Sequence, residues 1–178
     1  MRNLILVAFV EPVSVGLVFP RTDWPLHITL LRFDMESPRS AGAPAGPAGD
    51  VADLLAARAG PPARAALGAR LTVGPDAGFG RLGSVPVSLV EPDPRLEALH
   101  RDLFDAVTAL GGKVATPNFV LDHYRPHISH HDGRRLRPGD AVVLDQIALV
   151  DMAPEGNHAL RRILHLWSQG TEPGNGAS

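Results

Sequence analysis

The sequence predicts an α+β fold with largely antiparallel sheets. Three observations carry this. Apolar runs of strand length outnumber helices, hairpin-length connections are common, and the order reads strands, helix, strands, helix, strands. A chain of 178 residues, 44% apolar and 20% charged, supplies one continuous core, as one domain or as one domain of two lobes.

Residues 3–10 form an apolar run that reads as a buried strand. It resembles a signal peptide only superficially, because Glu11 and Pro12 end it with no small-residue cleavage site behind them. Residues 13–19 give a shorter second strand and residues 26–33 a third. Pro38 closes that region, having no N–H to give a ladder. Residues 40–49 contain only Ser, Ala, Gly and Pro and have nothing to pack, so they read as a mobile surface insertion or a lid. Asp50 stands where a helix cap would, before an apolar stripe of Val51, Leu54 and Leu55. Gly60-Pro61-Pro62 is expected to stop that helix, with a second short helical stretch over 63–67.

Residues 71–73 and 85–90 read as strands on either side of a glycine-rich turn over 74–83. The clearest helix comes next. Asp93 caps it, Pro94 fits its first turn, and Gly111-Gly112 follows its end. Leu96, Leu99, Leu103, Val107 and Leu110 line one face of it. A strand around His127, one over 141–150 and one over 160–167 complete the domain, taken as 1–169. The polar tail 170–178 is expected to be disordered.

Composition narrows the function. The chain has no cysteine, which removes disulfides, thiolate nucleophiles and sulfur-ligated metals. No stretch approaches a membrane span, and a cytoplasmic location is expected. A net charge of −2 and a pI near 6.4 argue against holding long nucleic acid through many phosphates. An RNA substrate would be gripped at an end or as a small fragment.

One constellation occurs twice. The first half carries Trp24-Pro25-Leu26-His27-Ile28-Thr29-Leu30, the second Tyr124-Arg125-Pro126-His127-Ile128-Ser129-His130. The repeat suggests two similar lobes. Residues two apart on a strand share a face, so His27 and Thr29 point one way while Ile28 and Leu30 point the other, against a helix. By the same parity Arg125, His127, Ser129 and His131 share a face. If the lobes face each other, two imidazoles and two hydroxyls meet in one cleft. That set suits phosphodiester chemistry. A neutral imidazole takes a proton from the attacking oxygen, a protonated one gives a proton to the leaving oxygen, and the hydroxyls donate to non-bridging oxygens. The scheme needs neither metal nor cofactor.

These motifs resemble those of the 2H phosphoesterase superfamily, and most closely its bacterial 2′-5′ RNA ligase and RNA cyclic phosphodiesterase members. The resemblance implies a bilobal, pseudo-twofold fold with antiparallel sheets lining a central cleft and helices outside. It implies metal-independent hydrolysis of a 2′,3′-cyclic phosphate, or a related cyclic or 2′-5′ diester, on RNA ends or small nucleotides. It makes His27 and His127 the acid–base pair and Thr29 and Ser129 the phosphate donors. Some relatives bind nucleotides without evident catalysis, so a non-catalytic nucleotide-binding module is the alternative. The second motif departs from the common pattern in running on into His130-His131-Asp132, where an apolar residue is common.

Four further residues are candidate substrate contacts. Arg125 can pair with a phosphate or sit solvated at the cleft rim. His131 has the same parity. Trp24 and Tyr124 can stack on a base or pack at the strand entrance. His123, His127, His130, His131 and Asp132 form a cluster, but alternation sends His127 and His130 to opposite faces, against a shared ion. His100 and His158 read as surface residues, and His165 as structural or reaching the cleft. No membrane or obligatory protein partner is expected, and the chain is expected to be a monomer.

Overall fold

The computed structural model describes residues 1–36, 50–114 and 117–170. The segment 40–49, Pro38 and the tail beyond Gly170 lie outside them. The strands are β1 (Arg2–Phe9), β2 (Val18–Pro20), β3 (His27–Met35), β4 (Arg70–Phe79), β5 (Val85–Val90), β6 (His127–Ser129), β7 (Ala141–Val143), β8 (Gln146–Asp151) and β9 (Leu160–Ser168). The helices are α1 (Val51–Ala66) and α2 (Pro94–Ala109). The strands join in one antiparallel sheet ordered β2-β9-β8-β1-β3-β6-β5-β4-β7.

This order has a centre. β3 and β6, which carry the two motifs, are neighbours; β1 and β5 flank them, then β8 and β4, then β9 and β7. That is the pseudo-twofold arrangement, with its axis between the motif strands. The sheet is also strongly curled. β7 and β8 are joined by only Leu144 and Asp145, yet they stand in the ninth and third places. Six flat strand spacings would separate them by about 28 Å. Three chain steps reach only about 11 Å. The edges must therefore curve towards each other, which hollows the sheet.

Both helices pack on one face. Leu4, Leu6, Ile28, Leu30 and Ile128 from the sheet meet Leu55, Ala59, Leu96 and Leu103 from the helices in the main core. Ile28 and Leu30 thus point to the helices, as parity requires. The opposite face of the first half carries a smaller core of Val7, Phe9, Phe19, Trp24 and Val150. Asp50 caps α1 and Asp93 caps α2 through their side chains.

Four sequence expectations change. α1 does not stop at Gly60-Pro61-Pro62 but runs through both prolines to Ala66, absorbing the stretch expected over 63–67. Proline inside a helix costs about 3 kcal/mol, but here Ala59, Gly60, Ala63 and Ala66 are all buried, and that packing prevails. Residues 13–19 do not form a strand; only Val18–Pro20 pair, because Gly16 turns the chain at φ 82°. The glycine-rich stretch over 74–83 is largely strand: β4 continues to Phe79, with a bulge between Val73 and Asp76 that accommodates Pro75. Gly78 is needed there, since a Cβ would meet the Gly83 carbonyl at 2.6 Å. Residues 141–150 form two strands, because the chain changes partners at Leu144, whose N–H donates to Ala69.

Candidate active site

The motifs do not sit on separate sheets facing across a gap. They lie on adjacent strands, paired antiparallel with Ile28 opposite Ile128. That register sets His27 beside Ser129 and Thr29 beside His127, all four on the face away from the helices. Each imidazole thus has the other motif's hydroxyl as its cross-strand neighbour. The rows extend outward, with Phe9 beside His27 and Leu89 beside His127.

The two rings are held alike. His27 Nδ1 lies 2.8 Å from the Pro25 carbonyl, and His127 Nδ1 lies 2.8 Å from the Arg125 carbonyl. A carbonyl only accepts, so Nδ1 carries the proton in both rings and Nε2 is left for chemistry. Among the described residues, neither the Thr29 nor the Ser129 hydroxyl has a hydrogen-bond partner. Burial pushes His27 down to about 4; the Pro25 carbonyl opposes this, and the charges of His131 and His127 add to it. His127 is also lowered, chiefly by burial, with the Arg125 carbonyl opposing and the Arg125 charge assisting.

The surroundings differ between halves. Trp24 is buried, its ring 4.5 Å from that of His27 and 5.0 Å from Phe19. It packs behind the histidine. Phe79 lies 4.2 Å from the His127 ring, and the exposed Arg125 guanidinium stands 5.1 Å over Phe79. Beside Thr29 and His127 opens a cavity of about 530 Å³, with Phe79, Phe119, Tyr124, Arg32 and Arg125 in its walls. Tyr124 is half-buried, and its hydroxyl donates to the Thr29 carbonyl at 2.8 Å.

His131 lies near enough to His27 for its charge, like that of His127, to oppose protonation there. It begins a tight turn closed by His131–Arg134 backbone bonds, with Asp132 and Gly133 both at positive φ. That turn explains the departure after Ser129: β6 ends and reverses at once. Arg134 braces it, donating to Glu11 at 2.8 and 3.0 Å and to Asp23 at 2.9 Å. Glu11 in turn accepts from the Leu26 N–H at 2.8 Å, which ties the approach to His27 to the turn at His131. His130, on the other face, lies 2.8 Å from the Ser88 hydroxyl.

A model of the 2′-5′ RNA ligase superfamily matches residues 10–165. The chain belongs to that superfamily. No curated protein matches it in sequence. Among solved structures, a phosphoesterase is similar at 17% identity and TM-score 0.57, covering 94% of this chain and 98% of its own. The Escherichia coli LigT complexed with NADP+ is similar at 16% identity and TM-score 0.56, covering 94% and 96%; the same protein with 3′-AMP is similar at 17% and 0.56, covering 94% and 97%. At these identities the likeness establishes the 2′-5′ RNA ligase fold.

Within that superfamily fold, some residues stand elsewhere than the sequence suggests. His100 is not on the surface; it is 1% exposed, under β3. His165 does not reach the cleft, since it is paired with Asp53 of α1 at 3.0 Å. Among the described residues, no three His, Asp or Glu side chains are grouped to hold a metal, and no helix is long and apolar enough to cross a membrane. Phe79 was not legible as a site residue. Its only signal is a lone aromatic between two glycines, and its place depends on β4 running past Pro75.

Proposed function

We propose that this superfamily member is a metal-independent phosphodiesterase that opens 2′,3′-cyclic phosphates of small nucleotides or RNA ends. The observation carrying the reading is the Ile28–Ile128 register, which brings two imidazoles and two hydroxyls onto one face of the sheet. An aromatic cavity of about 530 Å³ adjoins them, a size suited to a nucleoside. The LigT structures with 3′-AMP and with NADP+ favour a nucleotide ligand.

The cavity borders Thr29 and His127 but not His27. A base stacked there sets its ribose on the His127 side and the attacking water on the His27 side. His27, held neutral, takes the water proton on Nε2 as the new P–O bond forms. His127 gives its Nε2 proton to the ribose oxygen as the old P–O bond breaks, leaving a phosphomonoester and a free hydroxyl. The Thr29 and Ser129 hydroxyls donate to the non-bridging oxygens, where charge gathers in the transition state. Arg125 supplies positive charge at the rim.

The test is 2′,3′-cyclic AMP hydrolysis by wild type, His27→Ala and His127→Ala. Losses of about 10²–10⁴-fold in both variants are expected for removal of a general acid or base. Equal turnover in all three proteins ends the proposal.

A further inference from the structure

Two carbonyls on the motif strand take their hydrogen bonds from side chains. β1 and β3 slip by one residue between Leu6 and Val7: Leu6 faces Leu31, Val7 faces Thr29, and Leu30 has no partner. Past Ile128, the chain entering β6 brings Pro126, which has no N–H to donate. The Thr29 carbonyl instead accepts from the Tyr124 hydroxyl at 2.8 Å, and the Leu30 carbonyl from His100 Nδ1 at 2.7 Å. Bulges re-aim the side chains beside them, and this one lies directly behind Thr29.

The other ring nitrogen of His100 accepts from the Leu121 N–H at 2.8 Å. An amide N–H only donates and a carbonyl only accepts. The neutral ring protonated on Nδ1 is therefore the form that satisfies both. The ring is stacked on Tyr124, 3.9 Å between centroids and 3° from parallel. Burial lowers its pKa, which keeps it neutral. Leu121 sits at φ 55°, a left-handed conformation unfavourable for leucine, so its backbone needs outside support. It follows directly on Phe119 and Val120 in the cavity wall.

We infer that His100 and Tyr124 are positioning residues for this site. Tyr124 and the Nδ1 side of His100 fix the bulge that aims Thr29. The Nε2 side of His100 holds the cavity wall at Leu121. The inference deepens the phosphodiesterase reading and rests on it for its kinetic test. A histidine that merely fills the core would affect stability without dividing its effects in this way.

Two conservative variants separate the two sides of the ring. In His100→Asn the amide nitrogen stands near the place of Nδ1 and keeps the donor for Leu30. In His100→Gln the amide oxygen reaches the place of Nε2 and keeps the acceptor for Leu121. With 2′,3′-cyclic AMP, His100→Gln and Tyr124→Phe should lower kcat by about 10-fold or more at nearly constant KM, the scale of a misplaced catalytic group. His100→Asn should keep kcat within about threefold and raise KM instead. The inference is overturned if both His100 variants move kcat and KM alike, or if Tyr124→Phe turns over at the wild-type rate. Should the His100 variants not fold, Tyr124→Phe, which keeps the stacked ring, decides alone. If the wild type hydrolyses no cyclic nucleotide, the functional reading fails separately. The positioning is then read from inorganic phosphate affinity: weaker binding in Tyr124→Phe and His100→Gln than in His100→Asn supports it, and equal affinity in all overturns it.

Discussion

The two halves of the site share a His-Ile-hydroxyl motif and are unlike in environment. His27 and His127 share a motif, an Nδ1 contact to the carbonyl two residues before, and a hydroxyl neighbour across the β3–β6 pair. Behind His27 lie Trp24 and Phe9, part of a packed core. Around His127 lie Phe79 and a solvated Arg125, opening onto the cavity. Burial lowers both imidazoles, that of the closed half to about 4, and in the proposed mechanism the open half receives the substrate. A duplicated motif thus stands in two environments, and the proposed division into base and acid rests on that difference.

The largest effect expected from this difference concerns the leaving group. A general acid matters in proportion to how much the departing oxygen needs a proton. On a 4-nitrophenyl phosphodiester, whose leaving group departs as the anion, His127→Ala should recover most of its activity while His27→Ala stays about 10²–10⁴-fold impaired. Comparing this substrate with 2′,3′-cyclic AMP in both variants measures it. Rescue of His27→Ala instead would reverse the assignment of the halves.

The aromatic neighbours should also behave unlike each other. Phe79→Ala removes a stacking surface in the open half and should raise KM for cyclic AMP by about 5- to 150-fold, the range for one base–aromatic stack, with little change in melting temperature. Trp24→Ala removes a buried ring from the closed half and should cost stability, about 3–5 kcal/mol. Kinetics beside thermal melts of both variants make the comparison. A large KM effect from Trp24 and none from Phe79 would put the base on the other side.

The shared face of the candidate site was legible before the fold was known, and the reason is parity. His27, Thr29, His127 and Ser129 could be assigned to one face because the strand period is two, and the apolar Ile28 and Leu30 marked the other. α2 was legible because its cap, proline and leucine stripe agree. What was not legible depends on distant partners. The adjacency of the motif strands follows from the sheet order, which no local pattern encodes. α1 continues through Pro61 and Pro62 because small residues pack beneath it. His100 reads as polar, and only a freed carbonyl on one side and a Leu121 N–H on the other account for its burial.

The smallest effect expected is on pH dependence, and it bears on both halves. With His27 near 4 and His127 below 6.5, the free protein has base and acid in their working forms together only in the acid range. The kcat/KM profile for cyclic AMP should therefore peak below neutral pH, whereas kcat should peak higher because a bound phosphate anion raises both imidazoles. Stability should move the opposite way from the kcat/KM optimum. A histidine whose folded pKa is depressed binds fewer protons folded than unfolded, so its contribution is complete above about 6.5 and is lost as pH falls towards the folded value. His27, His100, His127 and His130 all shift in this direction. Melting temperatures between pH 7 and pH 4 should fall, and His27→Ala should flatten the decline. A slope unchanged by that substitution would mean the closed half does not hold its imidazole neutral, and the contrast between the halves would lose its physical cause.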